Sequence, residues 1–228
     1  ATGVEPTFKL IINTMCPMRQ VLRQLEPIVN EYAETDFQIT TGFMSSITES
    51  LDRGDADLAL TSNIGIGPHH EVVPVGRVHL FNVAAPGYFP ETPITMNMLR
   101  KRIQVVVRSK SRSSSPRSVM VIPDLRRWSV DDLGTKKELL LTGLGWGRMP
   151  VHLIADDLIS RRLVPIRVPG IAVGTSSDTV LVRRRDRPVG PIGTRIWQEF
   201  SGRVPAGSCD HLVMSSRPLP RLTAALSE

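Results

Sequence analysis

Two cysteines in 228 residues leave no material for a disulfide framework or a cysteine-rich zinc module. Aromatic residues are scarce, at 5%. No apolar run approaches the roughly 20 residues that span a bilayer, so no membrane partner is expected. The N-terminal Ala-Thr-Gly-Val-Glu-Pro has neither the basic nor the apolar region of a signal peptide. Catalytic signatures are missing too. No G-x-S-x-G or H-E-x-x-H occurs. Gly143-x-Gly145-x-Gly147 follows an expected helix and lacks the G-x-G-x-x-G spacing, so turn geometry explains it. Asp131-Asp132 and Asp156-Asp157 are adjacent pairs that diverge by about 100° on a helix and form no acid/base couple. His69-His70 are adjacent, expected to point apart, and joined by no ligand of metal-binding spacing. They read as a solvated loop. These absences argue against an enzyme, a resident metal and a cofactor.

What is present is an ordinary globular composition, with 41% hydrophobic and 22% charged residues. The net charge of +6 bears on association and not on fold. Residues 8–13 (FKLIIN) read as a strand. Val21, Leu22, Leu25, Ile28 and Val29 then recur at helical spacing, with Pro27 inside. Thr14 stands where it could cap that helix. Residues 37–41 alternate as a strand, 45–51 open a helix, and 55–60 form a buried strand. This β-α-β-α-β order predicts a parallel α/β lobe. A second set follows: strands near 78–84 and 103–107, an Arg/Ser-rich loop at 108–118 and a strand at 119–122. Helices are expected at 94–100, 130–142 and 152–161, a short strand at 163–166, a strand at 179–183 and a last helix at 193–200. The end, 215–228, reads as polar and frayed.

Two such units suggest two lobes with a cleft between them. Open α/β sheets bind ligands at the carboxyl ends of their strands. Those ends are Asn13-Thr14-Met15-Cys16, Thr41-Gly42-Phe43, Thr61-Ser62 and Arg108-Ser109. Hydroxyls and helix N-termini suit a small anion or a polar aromatic. Each Ser or Thr alone is better explained by capping; their concentration at several strand ends favours a cleft. Cys16 at a helix start could be a reactive thiol, although its only companion, Cys209, is far along the chain.

Four segments in order resemble the effector-binding domain of LysR-type transcriptional regulators. They are FKLIINTMCPMRQVLRQLEPIVNEY, GDADLAL at 54–60, TGLGWGRMPVHLIADDLISRRLVPI at 142–166, and DTVLVRRRDRPVGPIGTRIWQEF at 178–200. One departure is Arg161-Arg162, where that family usually has Gly-Arg or Gly-Lys. The RRWSVDDL and KKELLLTGLGWG segments resemble a subgroup that senses aromatic compounds. The resemblance implies a type 2 periplasmic-binding-protein-like α/β fold, two Rossmann-like lobes joined by two hinge strands. Lobe I would take residues 1–80 and 179–228, and lobe II residues 81–178.

The resemblance further implies a small effector, aromatic or carboxylate, held between lobes. Its contacts would be Thr14, Met15, Cys16, Phe43, Thr61 and Ser62 in lobe I, and Ser109, Ser111 and Trp128 in lobe II. Trp146 is a weaker candidate and more simply core. The family carries a winged helix-turn-helix ahead of this domain, and no such segment is present here. The chain therefore reads as an excised sensor that meets DNA only through that missing module, and that forms homodimers or homotetramers. A periplasmic solute-binding protein of the same fold is the alternative; an α/β enzyme of small acids is a third reading.

Overall fold

The computed structural model describes residues 3–108, 124–167, 170 and 172–202. The strand expected at 119–122, the tail at 215–228 and Cys209 lie outside the described residues. In lobe I, β1 (Thr7–Asn13) is flanked in parallel by β2 (Asp36–Gly42) and β3 (Leu58–Ser62). Helix α1 (Met18–Glu31) connects β1 to β2, and α2 (Ser45–Arg53) connects β2 to β3. Strand alternation divides the buried side chains. Phe8, Leu10, Ile12, Leu58 and Leu60 pack with Val21, Leu25 and Ile28 of α1. Ile11 and Ala59 face the other way, onto Ile47 and Leu51 of α2.

Two long strands carry the chain between lobes. β4 (His70–Ala84) leaves lobe I, and β9 (Gly174–Arg184) returns. They pair antiparallel from His70–Arg184 to Phe81–Gly174, with a register shift between Pro74 and Gly76. The core changes there: Val75 packs in the α1 cluster, and Val78 packs in that of lobe II. Between these strands lie α3 (Met96–Arg100), β5 (Gln104–Val107), β6 (Arg127–Val130), α4 (Leu133–Leu141), β7 (Trp146–Pro150), α5 (Val151–Ile159) and β8 (Val164–Pro165). Helix α6 (Pro191–Ser201) follows β9 and closes lobe I, with Ile192, Ile196 and Phe200 in the α1 cluster. Among the described residues the main strand order is β2-β1-β3-β9-β4-β7-β5-β6, with β8 beside β4.

Several expectations move. Strand β6 was not foreseen, because three of its four residues are exposed and no alternation marks it. The helix expected at 130–142 starts later: Asp132 caps it, accepting the Thr135 N–H at 2.8 Å. Strand β9 begins at Gly174, five residues before the expected 179. Thr14 does not cap α1, whose N-cap is Pro17 without a side-chain bond.

The Arg161 departure has a backbone reason. Helices α4 and α5 end in the same way. After α4, Gly143 takes φ 71, with Gly143 N–H donating to Leu140 and Leu144 N–H to Leu139. After α5, Arg161 takes φ 56, with Arg161 N–H donating to Leu158 and Arg162 N–H to Asp157. The left-handed residue is free of strain at the first site and strained at the second. Arg161→Gly is expected to stabilise the fold by about 0.5–1 kcal/mol in urea denaturation.

The lobe II core holds an unusual charge. Lys136 projects from α4 between Leu133 and Leu140, only 4% exposed. It has no hydrogen bond or ion pair among the described residues, and the bare Gly147 backbone makes room for its Nζ. Burial, with Arg148 adding to it, pushes the ammonium from its ordinary 10.5 down to about 7. A base depressed in the folded state gives up its proton there first. Stability therefore rises as pH climbs from about 7 toward 10, by at most ~1.4 kcal/mol per unit from this group. Lys136→Met should remove that slope and raise stability at pH 7, as thermal melts of both proteins across the range will show.

Candidate functional site

The β1–α1 turn is built by Asn13. Its side-chain carbonyl accepts the Met15 N–H at 3.0 Å, and its amide reaches Thr61 Oγ1 at 3.4 Å. Its backbone carbonyl accepts from Cys16 at 2.8 Å, and Thr14 N–H donates to the Gly42 carbonyl at 3.0 Å. The ends of β1, β2 and β3 are thereby held in one rigid floor. Asn13 is a residue that sequence reasoning noted at the strand end without giving it this role; an Asn opening a turn is the signal.

Above this floor is a cleft of about 760 Å³. Lobe I contributes Ile11, Thr14, the β2 end at Thr41, Gly42 and Phe43, and the α2 face at Ser46, Glu49, Ser50 and Arg53. Lobe II contributes Arg108, Asp131 and Asp132. Gly42 is required here: a Cβ would sit 2.8 Å from Ile47 Cγ1 and 3.2 Å from Ile11 Cδ1. Most polar groups of the cleft are already satisfied. Ser46 Oγ accepts the Phe43 N–H at 3.2 Å and donates to the Phe43 carbonyl at 2.8 Å. Ser50 Oγ donates back to Ser46. Arg53 pairs with Asp55 at 2.8 Å.

Two groups differ. Thr14 Oγ1 is out of solvent and without a hydrogen-bond partner among the described residues. Arg108 grips Asp131 with two bonds, 2.5 Å and 3.1 Å, and this contact holds its guanidinium above its ordinary range. The pair is exposed, at 62% and 49%, so solvent screens it and it contributes little. An incoming carboxylate can take the place of Asp131 on the same fork. The Asp132 carboxyl is held low by the Thr135 N–H, as befits a helix cap.

The expected contacts scatter around this cleft. Thr14 and Phe43 line it. Thr61 and Ser62 are buried beneath it at 1% and 4% exposure. Cys16 is buried in the lobe I core and Met15 in the lobe II cluster. Trp128 stands 43% exposed on the edge strand β6 and is not among the lining residues. Trp146 is fully buried core. Ser109 and Ser111 lie outside the described residues. The α2 residues Ser46, Glu49 and Arg53 were not foreseen, because nothing in a short polar helix tells which face a second lobe will meet.

The family profile described as LysR substrate binding domain matches residues 3–203. The chain belongs to that family. A relative in Escherichia coli K12, described as the probable HTH-type transcriptional regulator YhaJ, is 23% identical over 192 residues. The match covers 82% of this chain and 63% of that protein, so the chain spans about three-fifths of its relative. The regulatory domain of Synechocystis CcmR, solved with 2-PG, aligns at TM-score 0.67 and 12% identity over 86% of this chain and 96% of that one. The effector-binding domain of QuiR, solved with shikimate, aligns at 0.65 and 15% over 87% and 97%. Full-length LysG of Corynebacterium glutamicum, solved with Arg, aligns at 0.63 and 16% over 93% and 70%. These likenesses establish the type 2 periplasmic-binding-protein-like fold of this LysR domain.

The thiol in this LysR domain is quiet. Burial pushes the Cys16 pKa up to about 12, against a smaller lowering by the Asn13 backbone. A helix start does not activate it, because the side chain sits in apolar packing. In the folded protein at pH 8, Cys16 is expected to escape alkylation, with labelling of its peptide appearing only in denaturant by mass spectrometry.

Proposed function

We propose that this chain is the sensing domain of a LysR-type transcription regulator and binds a small carboxylate or polar aromatic effector in the inter-lobe cleft. The observation that carries this is the cleft itself, walled by Thr14 and Phe43 of one lobe and by Arg108 of the other. Thr14 Oγ1 lies out of solvent there with no partner among the described residues, a state that costs about 1–3 kcal/mol and that an effector acceptor recovers once the wall shifts to uncover the hydroxyl. Arg108, on the opposing lobe, offers the second contact by exchanging Asp131 for the effector's anion. Phe43 supplies an apolar wall. The lobe division is residues 1–80 with 179–228 against 81–178, with the crossing on β4 drawn nearer Gly76, where the packing changes cores.

Effector binding favours one lobe arrangement and passes through homodimer or homotetramer contacts to a DNA-binding module ahead of this domain. The protein acts in the cytoplasm by binding, not by catalysis. The family match supports this over a solute-binding protein of the same fold.

Thermal-shift screening with aromatic acids, amino acids and sugar acids will supply a binder whose Kd can be titrated. Thr14→Val is expected to weaken it about tenfold, or ~1.4 kcal/mol. Arg108→Met should weaken anionic binders and spare neutral ones. Unchanged Kd values in both variants would overturn the placement.

A further inference from the structure

The adjacent histidines do not diverge as expected. Both rings turn to one carboxylate oxygen: Asp52 Oδ1 lies 2.9 Å from His69 Nε2 and 2.8 Å from His70 Nε2. The ring centroids are 4.1 Å apart, tilted by 42°. Asp52 comes from the last turn of α2, seventeen residues upstream of His69, which is why local spacing missed it. We infer that Asp52, His69 and His70 form a binding site for a divalent transition-metal ion such as Zn²⁺ or Ni²⁺.

The three ligand atoms lie within 4.8 Å of one another. A tetrahedral ion at about 2.0–2.1 Å from each needs ligand atoms about 3.3 Å apart. The two Asp52–imidazole spacings, 2.9 Å and 2.8 Å, must open by about half an ångström to reach it. Two imidazoles and a carboxylate are a borderline-soft donor set that suits these ions better than Ca²⁺ or Mg²⁺. The site is anchored on one side and open on the other: the His70 side chain is 1% exposed, while His69 and Asp52 are 52% and 43% exposed. Gly67 provides the space for the His69 ring, since a Cβ there would lie 2.6 Å from its Cε1.

Contacts around this turn act against the ion and shape how it binds, Arg185 Nε donating to the His70 carbonyl at 2.9 Å among them. Gly67 N–H donates to His70 Nδ1 at 3.1 Å, so neutral His70 carries its proton on Nε2, aimed at Asp52. Ligation through Nε2 moves that proton to Nδ1 and gives up the Gly67 bond. Arg184 also donates to the Asp52 backbone carbonyl, but its guanidinium is engaged by Asp186 at 2.6 Å. The ion would tie α2, a wall of the cleft, to the start of β4, the outgoing hinge strand. The inference stands apart from the effector reading.

Titration of the full chain with ZnCl₂ and NiCl₂ by calorimetry at pH 7.5 tests it. The expected result is saturable binding at one ion per chain. Both His69→Ala and Asp52→Asn, at exposed positions, should bind at least tenfold more weakly, while His79→Ala binds as the parent does. The Nε2 resonances of His69 and His70 should shift together in imidazole ¹⁵N spectra. Absence of saturable binding, or its retention in either His69→Ala or Asp52→Asn, would overturn the assignment.

Discussion

The antiparallel pairing of β4 with β9 is the constraint from which the rest of this molecule follows. The two strands stay hydrogen-bonded from His70–Arg184 to Phe81–Gly174, across both cores. Each lobe then adds its own strands to this shared spine: β3 joins β9 on the lobe I side, and β7 joins β4 on the other. The lobes cannot separate without breaking the ladder. The ladder is interrupted at the register shift between Pro74 and Gly76, where proline contributes no N–H. A cleft opens beside the spine because the parallel strands of both lobes direct their carboxyl ends to the same gap.

The first lobe was largely legible in the sequence. Phe8, Leu10 and Ile12 alternate with residues of the opposite face, and Val21, Leu25 and Ile28 hold a helical stripe. Those local periods are the ones the structure uses. The hinge strands were only half legible, because their faces change neighbours midway and no single alternation runs through Val72–Val78 or Gly174–Val180. Strand β6 was illegible for a different reason. An exposed strand carries no hydrophobic pattern, and among the described residues β6 is held by backbone bonding to β5.

The candidate site shows the same division. Thr14 and Phe43 are reachable from the rule that strand ends make sites. Arg108, at the end of β5, is reachable by the same rule, whereas Asp131 and Asp132 come from a part of lobe II whose placement depends on the whole spine. The Asp52–His69–His70 cluster depends on where α2 ends relative to the start of β4. Such pairings are long-range, and periodicity within a segment does not contain them. Even the Arg161 departure carried structural information: it marks a left-handed position that only the α5 C-terminus explains.

The inter-lobe contact sets the terms on which any ligand must act. Met15 is buried in the lobe II cluster, and Phe43 and Met44 pack against it, although all three belong to lobe I strand ends. Met44 holds φ 54 and ψ −133 to do so, a conformation that costs a residue with a Cβ about 1–3 kcal/mol. Burial of these side chains against lobe II compensates that strain only while the lobes stay together. Thr14 and Gly42 are fixed to one another by a backbone bond, so they do not sense lobe position. Arg108 stands on the far wall and does. On the proposed reading, an effector that engages Thr14 alone binds both lobe arrangements equally and shifts nothing. One that reaches Arg108 as well adds its differential affinity to the apolar contact already holding the lobes, and the strained turn at Met44 lies where that added closure acts.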